Sequence, residues 1–164
     1  MKRILIICCI TICANLVCAQ GKFASTLKSL VGKSYTDEKN ISGLKGYSHI
    51  EGSLLSPAND ATTFTADVYK RGNSLLVIFS KREESTKPFY ILDLILISNV
   101  QTSWKFKTVD CRNGNEEATN IVALVQTLKS GKNKVLKAWR ANKDKIRFDA
   151  MPIKLVHCEG EEQY

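Results

Sequence analysis

Residues 63 to 79 constrain the fold more tightly than any other part of the chain. Phe64, Ala66 and Val68 alternate with Thr63, Thr65, Asp67 and Tyr69, and Gly72-Asn73 then offers a two-residue turn before an apolar run over residues 75 to 79. Successive strand side chains point to opposite faces, so this period of two with such a turn describes an antiparallel hairpin. A lone hairpin is marginal in water, and its apolar face needs more strands or a covering helix.

The chain supplies both. Residues 89 to 97 form an apolar stretch interrupted by Asp93, and over residues 104 to 111 Trp104, Phe106 and Thr108 alternate with Lys105 and Lys107, the mark of a sheet with one wet face. Residues 116 to 129 are ambiguous: Ile121, Val122, Leu124, Val125 and Leu128 fit a helix, with Glu116 and Glu117 early and Gly131 just past its end. The β-branched content and the Asn113-Gly114 turn signal, which would set Arg112 opposite Asn115 and return the chain antiparallel to 104–111, favour a strand. Residues 135 to 141, 146 to 148 and 153 to 158 read as further short strands, with Met151-Pro152 marking a break or an edge. A short strand is also compatible with residues 47 to 55. Before these, Phe23, Leu27, Leu30 and Val31 recur at helical spacing, predicting a short amphipathic helix over residues 22 to 32 that stops at Gly32. Residues 33 to 60 read as irregular and partly packed. The predicted fold is therefore α+β and β-dominated, a short N-terminal helix packed on a twisted antiparallel meander of six to eight strands.

Composition matters once the first 19 residues are set apart. They hold Lys2 and Arg3, an apolar stretch over residues 4 to 17, and Val17-Cys18-Ala19 before Gln20, the three parts of a secretory signal cleaved after Ala19. An apolar run of about 14 residues, interrupted by Thr11 and Asn15, falls short of the ~20 that a spanning helix needs. A lipoprotein signal fits poorly, because Val17 precedes Cys18 and Ile12 precedes Cys13. The expected organisation is a signal peptide over residues 1 to 19 and a single β-rich domain over 20 to 164, with no transmembrane segment after signal removal and a periplasmic or secreted location. Of six cysteines only Cys111 and Cys158 remain in the mature part, and in an oxidising compartment an even pair is most simply a disulfide.

The Ala19-Gln20 junction resembles that of exported proteins of Bacteroidota, in which the new N-terminal Gln is common. The run Lys137-Ala138-Trp139-Arg140, followed by a turn, a short strand and Cys158-Glu159, is similar to small secreted proteins of the same group over about 40 residues. This resemblance implies export and no particular activity.

Most chemistry lacks its residues. Gly32-Lys33-Ser34 ends like a phosphate-binding loop, but the earlier glycine would fall at Leu27 and the tripeptide follows a helix rather than opening one. His49 and His157 are the two histidines, so a metal site would need carboxylates such as Glu51 or Glu159 as well, and no metal or cofactor is expected. Ser48 and His49 are neighbours on a strand and point apart, and no Gly-x-Ser-x-Gly elbow occurs. Asn40-Ile41-Ser42 is a glycosylation sequon by pattern, of meaning mainly in a eukaryotic secretory route. Glycoside hydrolysis needs two carboxyl groups about 5 to 10 Å apart, for which Asp93 with Glu51 is the candidate pair.

Charge is the feature that stands out. The full chain carries a net +8, of which Lys2 and Arg3 contribute two; residues 129 to 147 alone carry +7, from Lys129, Lys132, Lys134, Lys137, Arg140, Lys143, Lys145 and Arg147 against Asp144. The rest of the mature chain is close to neutral. Trp139 and Phe148 lie within this segment, Trp139 reading as core rather than as a ligand platform. One interpretation is that these cations guard a sheet edge and keep hairpin tips soluble. The other is a basic face, Lys132, Lys134, Lys137, Arg140, Lys143, Lys145 and Arg147, that binds an acidic protein, a phosphorylated glycolipid or an acidic polysaccharide. No nucleic-acid-binding motif accompanies the charge. The functional expectation is an exported non-catalytic binding or accessory module, possible roles being inhibitor or immunity-type protein, with a small carboxylate hydrolase as the alternative.

Overall fold

The computed structural model describes residues 26–56, 60–114 and 120–159. Eleven strands occur among the described residues: β1 (Ser34–Tyr35), β2 (Ser48–Leu54), β3 (Thr63–Arg71), β4 (Ser74–Arg82), β5 (Phe89–Ile97), β6 (Trp104–Lys107), β7 (Cys111–Asn113), β8 (Ile121–Thr127), β9 (Asn133–Asn142), β10 (Arg147–Met151) and β11 (Val156–Cys158). They form three antiparallel sheets, ordered β1-β5-β4-β3-β2, β10-β9-β8-β6 and β11-β7.

The β-dominated, antiparallel expectation holds, while the single meander of six to eight strands becomes two meanders and a ribbon. Alternation within each strand explains the layering. Leu75, Val77 and Phe79 of β4, with Ala66 and Val68 of β3, meet Phe106, Val122, Leu124 and Ala141 of the second sheet in a core where Phe79 and Val122 are fully buried. The intervening Leu76, Ile78 and Tyr69 face the other way and are covered by Leu27, Leu30, Tyr35, Ile41 and Leu44 of the N-terminal segment. On the outer side of the second sheet, Ile121, Ala123, Val125 and Ala138 pack beneath Cys111, Val156 and Cys158 of the ribbon. The central strands β4 and β8 are buried on both faces, which is why their sequences run apolar instead of alternating.

Among the described residues the predicted N-terminal helix is helical over 26 to 28, continued by tight turns whose Leu30 amide donates to the Leu27 carbonyl; residues 22 to 25 lie outside those described, as do the signal segment and Gln20. Gly32 ends it with a φ of +83°, the left-handed conformation that glycine adopts without cost. Residues 33 to 47 then continue the covering of the sheet with short turns and β1.

Residues 104 to 111 are two strands, not one. Asp110 takes a φ of +60°, turning the chain after Thr108 so that Cys111–Asn113 leaves the sheet. The Asn113-Gly114 turn signal therefore misleads as to partner: Gly114 has the expected left-handed φ of +62°, but Arg112 pairs with His157 and the Gly114 amide donates to Leu155. Asn115 lies outside the described residues. The strand reading of the ambiguous segment is correct over Ile121–Thr127, which runs antiparallel to β6. Residues 153 to 155 form a short 3-10 turn before β11, where a strand was expected.

Cys111 and Cys158 are directly opposed across the ribbon and joined by a disulfide that closes a separation of 47 residues. Among the described residues, no helix is long and apolar enough to cross a membrane.

Candidate functional site

The basic segment forms the turn before β9, β9 itself, the turn after it and the start of β10. Directly opposed strand residues share a face. Lys137 stands opposite Leu124, whose side chain enters the inter-sheet core, whereas Arg140 stands opposite Ile121, which faces the ribbon. Lys137 and Arg140 thus lie on opposite faces of the sheet, while Lys132, Lys143 and Lys145 sit in the turns that flank β9. Asp149 takes up two of them: Arg147 Nε donates to Oδ1 at 2.7 Å, and Lys145 Nζ lies 3.8 Å from Oδ2. The Asn142 amide, helped by Arg147 and Lys145, holds the Asp149 carboxyl below the usual carboxylate range. Lys143 Nζ sits 5.6 Å from the centre of the Phe64 ring, tying the turn to the first sheet. Lys132, Lys134 and Lys137 are exposed and form no ion pair among the described residues. Trp139 stacks on Phe106 at 5.9 Å against the inter-sheet core, as its reading as a core residue requires.

Asp93 and Glu51 are both engaged by the backbone. Strict alternation would group Asp93 with Ile91 and Ile95, but a bulge breaks it: Phe79 pairs with Asp93 and Ser80 with Ile91, leaving Leu92 as the extra residue. Ile91 consequently joins the N-terminal side while Ile95 and Leu92 pack on the inter-sheet core. Asp93 Oδ2 accepts the Phe148 amide at 2.7 Å and Oδ1 its own neighbour's amide, that of Leu94. Glu51 Oε1 accepts both the hydroxyl and the amide of Thr108, at 2.7 and 3.2 Å. Glu51 lines a cleft of about 300 Å³ with Trp104, Lys105 and Lys107, and Asp93 is not among its lining residues.

A different cluster comes together on the N-terminal side of the first sheet. A bulge at Ile50 shifts the β2–β3 register, so that His49 opposes Tyr69 while Gly52 opposes Asp67. Without that extra residue His49 and Gly52 would face opposite ways; with it, both lie on the side of Asp67 and Tyr69. His49 Nε2 then stands 3.5 Å from Asp67 Oδ1, and the His49 and Tyr69 rings are 5.2 Å apart. Glu38 arrives from the covering segment, on a 3-10 turn capped by Asp37, whose carboxylate accepts the Lys39 amide. One ligand atom from each of Glu38, His49 and Asp67 lies within 4.8 Å of the others.

His49 is exposed and Glu38 half-buried, while several of the polar groups around them are desolvated. Burial pushes the Asp67 carboxyl above its ordinary value, with the hydroxyl of Thr65, donating at 2.9 Å, opposing the shift and the nearby Glu38 adding to it. Burial likewise raises the Tyr35 phenol to about 12, against its hydrogen bond to Ser80. The Tyr69 phenol is raised further, first by burial and then by the Asp67 and Glu38 charges. Glu38, His49 and Tyr69 line a cleft of about 540 Å³ whose other walls include Lys39, Lys45 and Tyr47.

No metal site is expected from the sequence, where Glu51 and Glu159 are the carboxylates named as what one would need beside a histidine. Glu51 instead turns toward Thr108, Glu159 pairs with Arg112 at 3.3 Å, and the groups that meet His49 are Glu38 and Asp67. Alternation places Asp67 on the polar side of its strand, which is the one signal that pointed toward this cluster. Compared with protein-family models, curated proteins and solved structures, the chain matches none.

Proposed function

We propose that the protein is an exported, non-catalytic binding module that engages an acidic partner through Lys132, Lys134 and Lys137, with Arg140, Lys143, Lys145 and Arg147 extending the field of positive charge around them. The observation that carries this reading is the division of labour along the basic segment: Asp149 compensates Lys145 and Arg147, while Lys132, Lys134 and Lys137 stay exposed without an ion pair among the described residues. Uncompensated charge of one sign is what long-range attraction of a polyanion needs. The disulfide supports an oxidising location such as the periplasm or the exterior. Asp93 and Glu51 serve as backbone acceptors, which favours binding over carboxylate hydrolysis.

The partner chemistry is repeated phosphate or carboxylate, on a phosphorylated glycolipid, an acidic polysaccharide or an acidic protein. β10 pairs with β9 only over residues 138 to 142, so Lys134 and Lys137 also border an unpaired stretch of strand, where guarding an edge would be a sufficient role. Retention on immobilised polygalacturonate and on vesicles carrying phosphorylated glycolipid separates the two. The triple variant Lys132→Glu, Lys134→Glu, Lys137→Glu should lose retention on at least one surface with an unchanged melting temperature. Equal retention by the variant on both surfaces, or no retention of the wild type, leaves edge protection as the function of these lysines.

A further inference from the structure

We infer that Glu38, His49 and Asp67 form a binding site for a first-row divalent metal ion of the zinc class, independent of the basic segment.

Geometry comes first. Two ligands each about 2.0 to 2.1 Å from a tetrahedral ion are separated by roughly 3.3 to 3.4 Å. His49 Nε2 and Asp67 Oδ1 are 3.5 Å apart, beyond the range of about 2.7 to 3.2 Å of a good N–H···O hydrogen bond. Glu38 completes a set whose ligand atoms lie within 4.8 Å of one another, close enough for a small movement of the Glu38 side chain to enclose an ion.

Charge is the second argument. Neither Glu38 nor Asp67 forms an ion pair with a lysine or arginine among the described residues, and the one cation that can stand beside the largely buried Asp67 is His49 itself, when protonated. Gathering two carboxylates with no more than an exposed imidazole to offset them is costly, and a divalent cation removes that cost.

The third argument is an under-satisfied donor. Tyr69 is 3% exposed and lines the same cleft as Glu38 and His49. Its hydroxyl lies within loose reach of the Glu38 carboxylate, yet no hydrogen bond of good geometry satisfies it among the described residues. A water or anion completing the coordination sphere from the cleft would satisfy it. Gly52 is part of the same construction: a Cβ there would collide with Asp67 Oδ1 and stand 3.1 Å from His49 Nε2.

The donor set selects the ion. One imidazole with two carboxylates suits zinc, manganese or iron(II); Mg²⁺ and Ca²⁺ prefer sets built of oxygen alone. The cleft leaves the remaining coordination positions reachable from solvent.

Calorimetric titration of the full, oxidised, EDTA-stripped protein with Zn²⁺ tests the site. One ion per chain should bind, at least tenfold more weakly in His49→Gln, Asp67→Asn and Glu38→Gln, and unchanged in His157→Gln. Excess Mg²⁺ or Ca²⁺ should not displace it. Should a variant fail to fold, the imidazole NMR signals of the wild type decide instead: those of His49 must move on adding Zn²⁺ and those of His157 must not. Absence of stoichiometric binding, binding as tight in folded His49→Gln as in the wild type, or movement of the His157 signals in place of His49 would overturn the inference.

Discussion

The carboxylate of Asp93, on β5, accepts the backbone amide of Phe148, on β10, at 2.7 Å, so that a side chain of the first sheet serves as the hydrogen-bond partner of an edge strand of the second. The Phe148 ring then packs on Phe79 at 5.3 Å, immediately beside this link. Hydrogen bonds to charged groups contribute about 1.5 to 3 kcal/mol in such settings. Asp93→Ala should therefore lower the unfolding free energy in urea by about that amount, while Asp93→Asn, which keeps an acceptor oxygen, should lose less. An unaltered midpoint in Asp93→Ala would mean that the bond adds nothing to stability.

Phe79 is fully buried and touches Phe64 at 5.8 Å as well as Phe148, linking three aromatic rings across the inter-sheet core. Truncating a buried phenylalanine costs about 3 to 5 kcal/mol, through lost transfer free energy and the cavity left behind. Phe79→Ala should fall in that range by urea denaturation, and Phe79→Leu well below it.

The disulfide between Cys111 and Cys158 spans 47 residues. On chain-entropy grounds, releasing a loop of this length costs roughly 4 kcal/mol. The double variant Cys111→Ala, Cys158→Ala should approach that loss, and a reductant should shift the wild-type denaturation midpoint toward the variant's while leaving the variant unaffected.

Alkaline pH should weaken the protein through Tyr35. Its phenol is raised from 10.0 in the unfolded chain to about 12 in the fold, so the folded state holds its proton more tightly. The associated stability is complete below pH 10 and is lost as the pH rises through the folded value. Two pH units correspond to about 2 to 3 kcal/mol. Urea denaturation at a series of pH values from 9 to 12 should show this decline, and Tyr35→Phe should flatten it in part, since Tyr69 ionises with the same sign.

Most of the strand framework is legible in the sequence because period-two patterning is a local property. The hairpin at Gly72-Asn73, the stretch from Phe89 to Ile97 and the strand at Ile121–Thr127 all follow from it. The disulfide follows from cysteine number and the compartment expected from the N-terminal segment. What escapes is set by residues distant in the chain. Asn113-Gly114 has the conformation its composition asks for, yet Val156 and His157, more than 40 residues away, decide the pairing. One inserted residue at Ile50 and another at Leu92 reverse which side chains share a face, and no local composition marks either. The cluster of Glu38, His49 and Asp67 depends on the first of these bulges, so strict alternation could not assemble it.

The two outer coverings of the sandwich differ in how they are fastened. The ribbon is stitched to itself by a covalent bond, whereas residues 27 to 44 lie on the first sheet through side-chain packing, the short β1–β5 pairing and a few backbone hydrogen bonds, among them Gly32 to Ile91. Free energies of local opening follow such differences. Amide exchange should therefore be polarised between the coverings, fast within residues 27 to 44 and slow within the ribbon. The covering expected to yield first is the one that carries Glu38, so whatever steadies that carboxylate against the sheet should also slow the opening of that covering.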